Sequence, residues 1–248
     1  MNTMLRHAMS GSAALCIAGF SAPALAAGGG GWDWMIAPYI WAPTISADLN
    51  TEVPPSGTDT AFEDIVDKID GAFLLHVEGQ GDRFGAFGDV IYLGLGDEKD
   101  RERFRTESDL DARLFELAVV WSPGEDRYRG IDVFGGLRYV DVDLTVEVDP
   151  VNPIFDTATV DAGESFADFM VGARYTWALS ERWGLTVRGD ASFGETDGTW
   201  GAGATVQYRM QNGAWLFGYR HLDVSLKPRD NTLDLALSGI VAGYSFNF

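Results

Sequence analysis

The sequence predicts an all-β fold: a closed antiparallel transmembrane β-barrel of about ten strands, carrying long acidic extracellular loops. Three observations lead there. Segment after segment alternates with period two, one parity apolar and the other polar, which marks strands whose two faces meet different surroundings. No stretch beyond the first 26 residues approaches the about 18 uninterrupted apolar residues of a membrane helix. The connections between candidate strands alternate short and long, as they do when tight turns face the periplasm and longer loops face outward.

The bulk composition supports a single β domain. Hydrophobic residues make up 46% of the chain, too many for disorder, and 30 glycines are too many for a helical bundle. A net charge of −19 makes the electrostatics of nucleic-acid binding repulsive, so nucleic acid is excluded as a partner class. Residues 1–26 read as a secretory signal peptide: Arg6 and His7 open it, Ala13 to Phe20 form its apolar stretch, and Ala24-Leu25-Ala26 is a small-x-small cleavage site. Residues 27–248 then form one barrel domain. The lone cysteine, Cys16, leaves with the leader. Leu15 precedes it where a lipoprotein needs a small residue, so neither a lipid anchor nor a disulfide is expected.

Each strand is justified by its alternation. From Arg182 onward it is clearest: Trp183, Leu185, Val187, Gly189, Ala191 and Phe193 fall on one face, Arg182, Gly184, Thr186, Arg188, Asp190 and Ser192 on the other. The same rule gives strands near 32–49, 71–80, 83–96, 108–121, 129–147, 165–179, 182–194, 199–210, 214–226 and 234–248. Eight or twelve strands would also fit boundaries of this precision. Brief connections at 81–82, 122–128, 180–181 and 211–213 alternate with long ones at 50–70, 97–107 and 148–164, while the two remaining outer connections, 195–198 and 227–233, are shorter and narrow the outer rim on one side. Trp32, Trp34, Trp121, Trp177, Trp183, Trp215 and Phe248 cluster at strand ends, where an interfacial aromatic girdle sits.

With the apolar parity outside, Glu78, Asp89, Glu116, Arg138, Asp168, Arg174, Arg188, Asp190, Arg209 and Arg220 point inward. Five acids then face five arginines, an arrangement that is tolerated in a lumen when charges pair and hydrogen-bond. About eight strands leave room only for side chains, and open channels appear near sixteen, so a lumen filled by this network is expected, with a narrow porin-like channel as the alternative. A hydrolase is the third reading. It would need His76, which shares a face with Glu78, or His221, which falls on the lipid-facing parity two residues before Asp223; neither has a nucleophile motif beside it, and no enzymatic activity is expected.

The one plausible helical turn covers Ala61 to Ile69, with Phe62, Ile65, Val66 and Ile69 on one stripe. Carboxylates crowd the long loops, among them Glu63, Asp64, Asp97, Glu98, Asp149 and Asp161, but none has the spacing of a calcium loop; no metal and no cofactor is expected.

The ending Tyr244-Ser245-Phe246-Asn247-Phe248 resembles the C-terminal signal, built on Tyr244, Phe246 and Phe248, by which barrel-assembly machinery recognises its substrates. Pro38-Tyr39-Ile40-Trp41-Ala42 and Phe87-Gly88-Asp89-Val90-Ile91-Tyr92-Leu93 resemble a family of uncharacterised proteobacterial outer-membrane β-barrel proteins, small porin-like or surface-antigen-like barrels sharing this layout along most of the chain. That resemblance implies a place in the outer membrane, with its lipid and lipopolysaccharide as partners. It supplies no catalytic residues.

Overall fold

A strand whose two faces alternate in polarity becomes stable in a bilayer only when every backbone N–H and C=O finds a partner, which requires the sheet to close on itself. The computed structural model shows that closure. It describes residues 31–50, 56–60, 68–100, 104–124, 126, 128–150, 158–226 and 232–248. The expected leader lies outside the described residues, as does the expected helical turn from Ala61 through residue 67.

Among the described residues the strands are β1 (Asp33–Asn50), β2 (Ser56–Thr60), β3 (Ile69–Gln80), β4 (Phe84–Asp100), β5 (Phe104–Trp121), β6 (Gly130–Pro150), β7 (Ala158–Ala178), β8 (Trp183–Gly194), β9 (Gly198–Arg209), β10 (Gly213–Leu226) and β11 (Thr232–Asn247). β1 pairs antiparallel with β3, each strand from β3 to β10 pairs antiparallel with the next, and β1 pairs with β11 from Met35↔Asn247 to Asn50↔Thr232, which closes a ten-stranded barrel. The short β2 is extra to the ring: it lies only against the outer end of β1, Ile45↔Thr60 through Leu49↔Ser56.

The start of β1, the end of β11 and the connections after β3, β5, β7 and β9 share one rim, the side that such barrels turn to the periplasm. There Tyr128, at a positive φ of 57°, donates its N–H to Gln80 Oε1 at 2.6 Å and its hydroxyl to the Asp33 carbonyl at 2.7 Å, tying the β5–β6 connection beneath the lumen.

On the opposite side the strands run farther than the alternation foretells. β4 and β5 stay paired to Asp100↔Arg105, and β6 and β7 to Val148↔Ala158, so much of the expected loops 97–107 and 148–164 is paired strand. Above the lipid both faces of a strand meet water. The hydrogen-bond ladder continues there, but the period-two polarity that would announce it has no reason to persist.

The barrel is inside-out relative to a soluble protein. Phe169 is 64% exposed and Ile240 65%, whereas Arg138 is 1% and Glu78 0%. Trp32, Trp34, Trp121, Trp177, Trp183, Trp215 and Phe248 are all exposed around the periplasmic rim. Phe73, Phe115, Tyr139, Phe169, Phe193, Trp200 and Tyr219 are exposed farther out along the strands, so aromatic side chains bound the apolar band at both interfaces. Inside, packing is close enough to demand glycine: a Cβ on Gly136 of β6 would overlap the Leu117 carbonyl oxygen of β5.

Candidate functional site

The alternation that turns apolar residues to lipid turns the opposite parity of every strand inward, and the lumen fills in layers. At the periplasmic floor Gln80 Nε2 donates to Ser122 Oγ at 2.8 Å, and the Ser122 hydroxyl donates to Asp132. Asp132 accepts from Arg174 Nε at 2.8 Å, and Arg174 grips Glu78 with both terminal nitrogens, Nη1 at 2.7 Å from Oε2. Beside this lies an apolar cluster of Phe87, Ala118, Val120, Phe134 and Met170. The Arg188 guanidinium covers it, 5.2 Å from the Phe87 ring centre and 4.9 Å from that of Phe134.

At mid-lumen the charges converge on Glu116. Its Oε1 accepts from Arg138 Nε at 3.0 Å, Arg138 Nη2 at 2.6 Å and, more loosely, Arg220 Nη2 at 3.3 Å. Its other oxygen accepts from Arg188 Nη2 at 2.8 Å. Asp190 takes Arg188 Nε at 2.8 Å and also pairs with Arg138. His76 links this layer to the floor, with Nδ1 3.0 Å from Asp89 Oδ2 and Nε2 3.2 Å from Glu78 Oε2. The Tyr39 hydroxyl donates to Asp89 Oδ1 at 2.6 Å. A cavity of about 190 Å³ adjoins the network, lined among others by Tyr39, Arg174, Arg188, Arg220, Gly201 and Gly203.

Toward the outer mouth the lumen turns apolar: Ile91, Leu114, Leu222 and Val224 are buried together, with Trp41, Leu74, Val140, Phe166 and Leu235 packed against them. Arg220 sits where the two layers meet, 5.3 Å over the Trp41 ring.

Of the ten residues the alternation points inward, eight join these contacts. Asp168 is also enclosed, yet its partners are not arginines: it accepts from the Ser192 hydroxyl at 3.2 Å, from the Thr196 N–H at 3.1 Å and from the Thr196 hydroxyl, and so caps the β8–β9 turn. Arg209 stands at the periplasmic end beside Gly184, with no carboxylate partner among the described residues. The fifth acid of the network is instead Asp132, 1% exposed, which has the same parity as Phe134 and Arg138 and was recoverable by the rule that found them. Tyr39 and His76 complete it. His76 meets Glu78, the acid with which it shares a strand face, whereas a tyrosine on a wet face carries no signal of its own until the strand opposite is known.

His221 faces outward, its Nδ1 2.6 Å from Ser238 Oγ and its ring 4.4 Å from that of Trp200. On the outer wall, Arg113 joins Asp141 at 2.8 Å and Asp143 at 3.3 Å.

A closed ring of ten antiparallel strands, apolar to the outside and charged within, defines an outer-membrane β-barrel, and this chain is one. Solved barrels resemble it. The outer membrane protease OmpT from Escherichia coli matches with a TM-score of 0.52 at 9% identity, covering 89% of this chain and 98% of that one. Ail, the attachment invasion locus protein of Yersinia pestis, solved with the heparin analogue sucrose octasulfate, matches at 0.41 and 8% identity over 88% of this chain and 99% of that one. Neisserial surface protein A matches at 0.29 and 11% over 87% and 97%. At the identity of the OmpT match the fold alone is shared. No protein-family model matches the chain, and no curated protein does.

Proposed function

We propose that this chain is a non-conducting, non-enzymatic outer-membrane barrel with an envelope-structural or surface-interaction role, its lumen braced by the Arg–carboxylate network. The supporting observation is the convergence on Glu116, 3% exposed: arginines from β6, β8 and β10 meet on one carboxylate of β5 and cross the lumen at one level. Such a knot, capped on its outer side by the apolar layer around Leu114 and Leu222, leaves water no broad path. The lipid-facing belt contacts outer-membrane lipid and lipopolysaccharide, and the C-terminal Tyr244, Phe246 and Phe248 serve barrel assembly.

A narrow solute pore is the second reading, favoured by the cavity beside Arg174, Arg188 and Arg220. Planar-bilayer recording separates the two. Purified barrel is expected to give no steady unit conductance. Ion-selective openings that reverse their preference in an Arg174→Glu, Arg188→Glu variant would overturn the closed-lumen reading.

A further inference from the structure

Above the rim, β4, β5, β6 and β7 continue as one sheet. β5 pairs with β6 as far as Phe104↔Pro150, and β6 with β7 as far as Val148↔Ala158, with no break in register. β8 does not follow. Its pairing with β7 ends at Asp168↔Gly194, because the chain turns back into β9 at once. The segment from Ala158 to Ala167 is therefore bonded to β6 on one side and, among the described residues, to no strand on the other.

One contact fixes which groups look out. The Ala167 N–H donates to Glu195 Oε2 at 2.7 Å, and Glu195 lies in the β8–β9 turn, on the open side. Backbone groups alternate between the two neighbours of a strand, so Thr159, Asp161, Gly163 and Ser165 also direct their N–H and C=O to the open side. Natural sheet edges are usually blunted by charged side chains, lysine above all, by proline or by a bulge, and acids on an edge repel another acidic strand but not a cationic one. Between Ala158 and Ala167 there is no lysine and no proline, and the β6–β7 ladder carries no bulge.

Among the described residues the charge at this edge has one sign: Glu164 lies on it, Glu195 and Asp197 on the turn below, and no Lys or Arg occurs from residue 158 until Arg174, deep in the lumen. A second copy of this chain would bring the same acids opposite one another, a destabilising arrangement for facing strands.

We propose that the outer edge of β7 docks an extended cationic peptide segment of an extracellular partner, which adds to the sheet as a further strand. The proposal rests on the surface-interaction reading and names its surface and its partner's chemistry. Main-chain hydrogen bonds supply the affinity, and the acids beside them select lysine- and arginine-rich strands.

The test uses the full refolded barrel in lipid nanodiscs and a fluorescent peptide alternating lysine and valine over the length of the edge. It is expected to bind, to weaken with salt, and to show the amide I band of an antiparallel strand when carbon-13 labelled. Gly163→Pro with Ser165→Pro removes two outward N–H groups while leaving the bonds to β6, and is expected to weaken binding about tenfold. Glu164→Lys, which does not touch the backbone, is expected to weaken it too, so the test survives a proline variant that fails to fold.

Absence of binding, or equal binding of a proline-interrupted peptide of the same charge, overturns the proposal. So does a cross-linked dimer at this edge that the peptide does not displace. Steady conductance would sink the closed-lumen reading and leave peptide binding untouched, whereas a silent bilayer with no peptide binding sinks this proposal alone.

Discussion

Arg174 and Glu78, 96 positions apart in sequence, meet in the lower lumen as a guanidinium fork on a carboxylate, with Nη1 2.7 Å from Oε2 and Nη2 on Oε1. β3 and β7 are not neighbours in the ring, so this pair spans the barrel rather than reinforcing a ladder. Planar bidentate geometry suits the role, since it fixes orientation as well as distance.

Removing one member of a buried pair strands the other charge, at a cost of about 3–5 kcal/mol. Glu78→Gln should fall near the lower end, because Asp132 still holds Arg174 through Nε. The expected outcome is a lower urea midpoint for the barrel in detergent. Glu78→Met with Arg174→Met should recover part of the loss, because no unpaired charge of that pair then remains. A double variant worse than the sum of its single variants would refute the pairing as a stabilising unit.

Glu116 and Asp168 are both enclosed acids on inward-facing positions, yet their removal should differ sharply. Glu116→Gln leaves Arg138, Arg188 and Arg220 around a neutral group, and about 3 kcal/mol or more should be lost. Asp168→Asn keeps a carbonyl acceptor for the Thr196 N–H, so about 1 kcal/mol should be lost, largely in the β8–β9 turn. Unfolding midpoints rank the two, and hydrogen exchange at Thr196 and Asp197 locates the second. Equal losses would mean that Glu116 is not the centre of the network.

Much of this architecture is legible in the residues because a transmembrane strand lies between two solvents. Trp183, Val187 and Phe193 against Arg188 and Asp190 leave one consistent orientation, and ten such segments give the ring. Asp132 obeyed the same parity rule. What the pattern does not encode is which inward charge meets which. Asp168 and Glu116 look alike along the chain, and only the brevity of the β8–β9 turn brings Thr196 rather than an arginine to Asp168. Arg209 shares its strand face with Gly201 and Gly203 but lies too near the periplasmic rim to reach the acids. The outer extensions of β4 to β7 are silent for a different reason: with water on both faces, strand pairing no longer needs alternating polarity, and acid-rich strand reads as loop.

Close packing inside the barrel gives a prediction about assembly. A side chain on Gly136 would strike the β5 backbone at Leu117 and Ala118, where neither partner can swing aside. Gly136→Val should lower refolding yield into detergent and reduce the fraction that resists unfolding without boiling. Gly189, whose Cβ would meet nothing within 4 Å, is the matched control, and Gly189→Ala should refold normally.

The orientation of β8 makes the sharpest test of the membrane assignment. Val187 is exposed on the outer wall between Trp183 at the periplasmic rim and Phe193 toward the outer one, so its side chain lies in the hydrocarbon. An arginine there costs about 2–4 kcal/mol at the bilayer midplane and about 0–1 near an interface. Val187→Arg should therefore destabilise the folded barrel in lipid vesicles by several times as much as Trp183→Arg, once the lost Trp183–Tyr208 ring contact is measured separately with Trp183→Ala. In detergent, where arginine can reach headgroups more easily, the gap should narrow. Losses that do not depend on depth, or that persist unchanged when the bilayer is replaced, would mean that this face does not meet lipid.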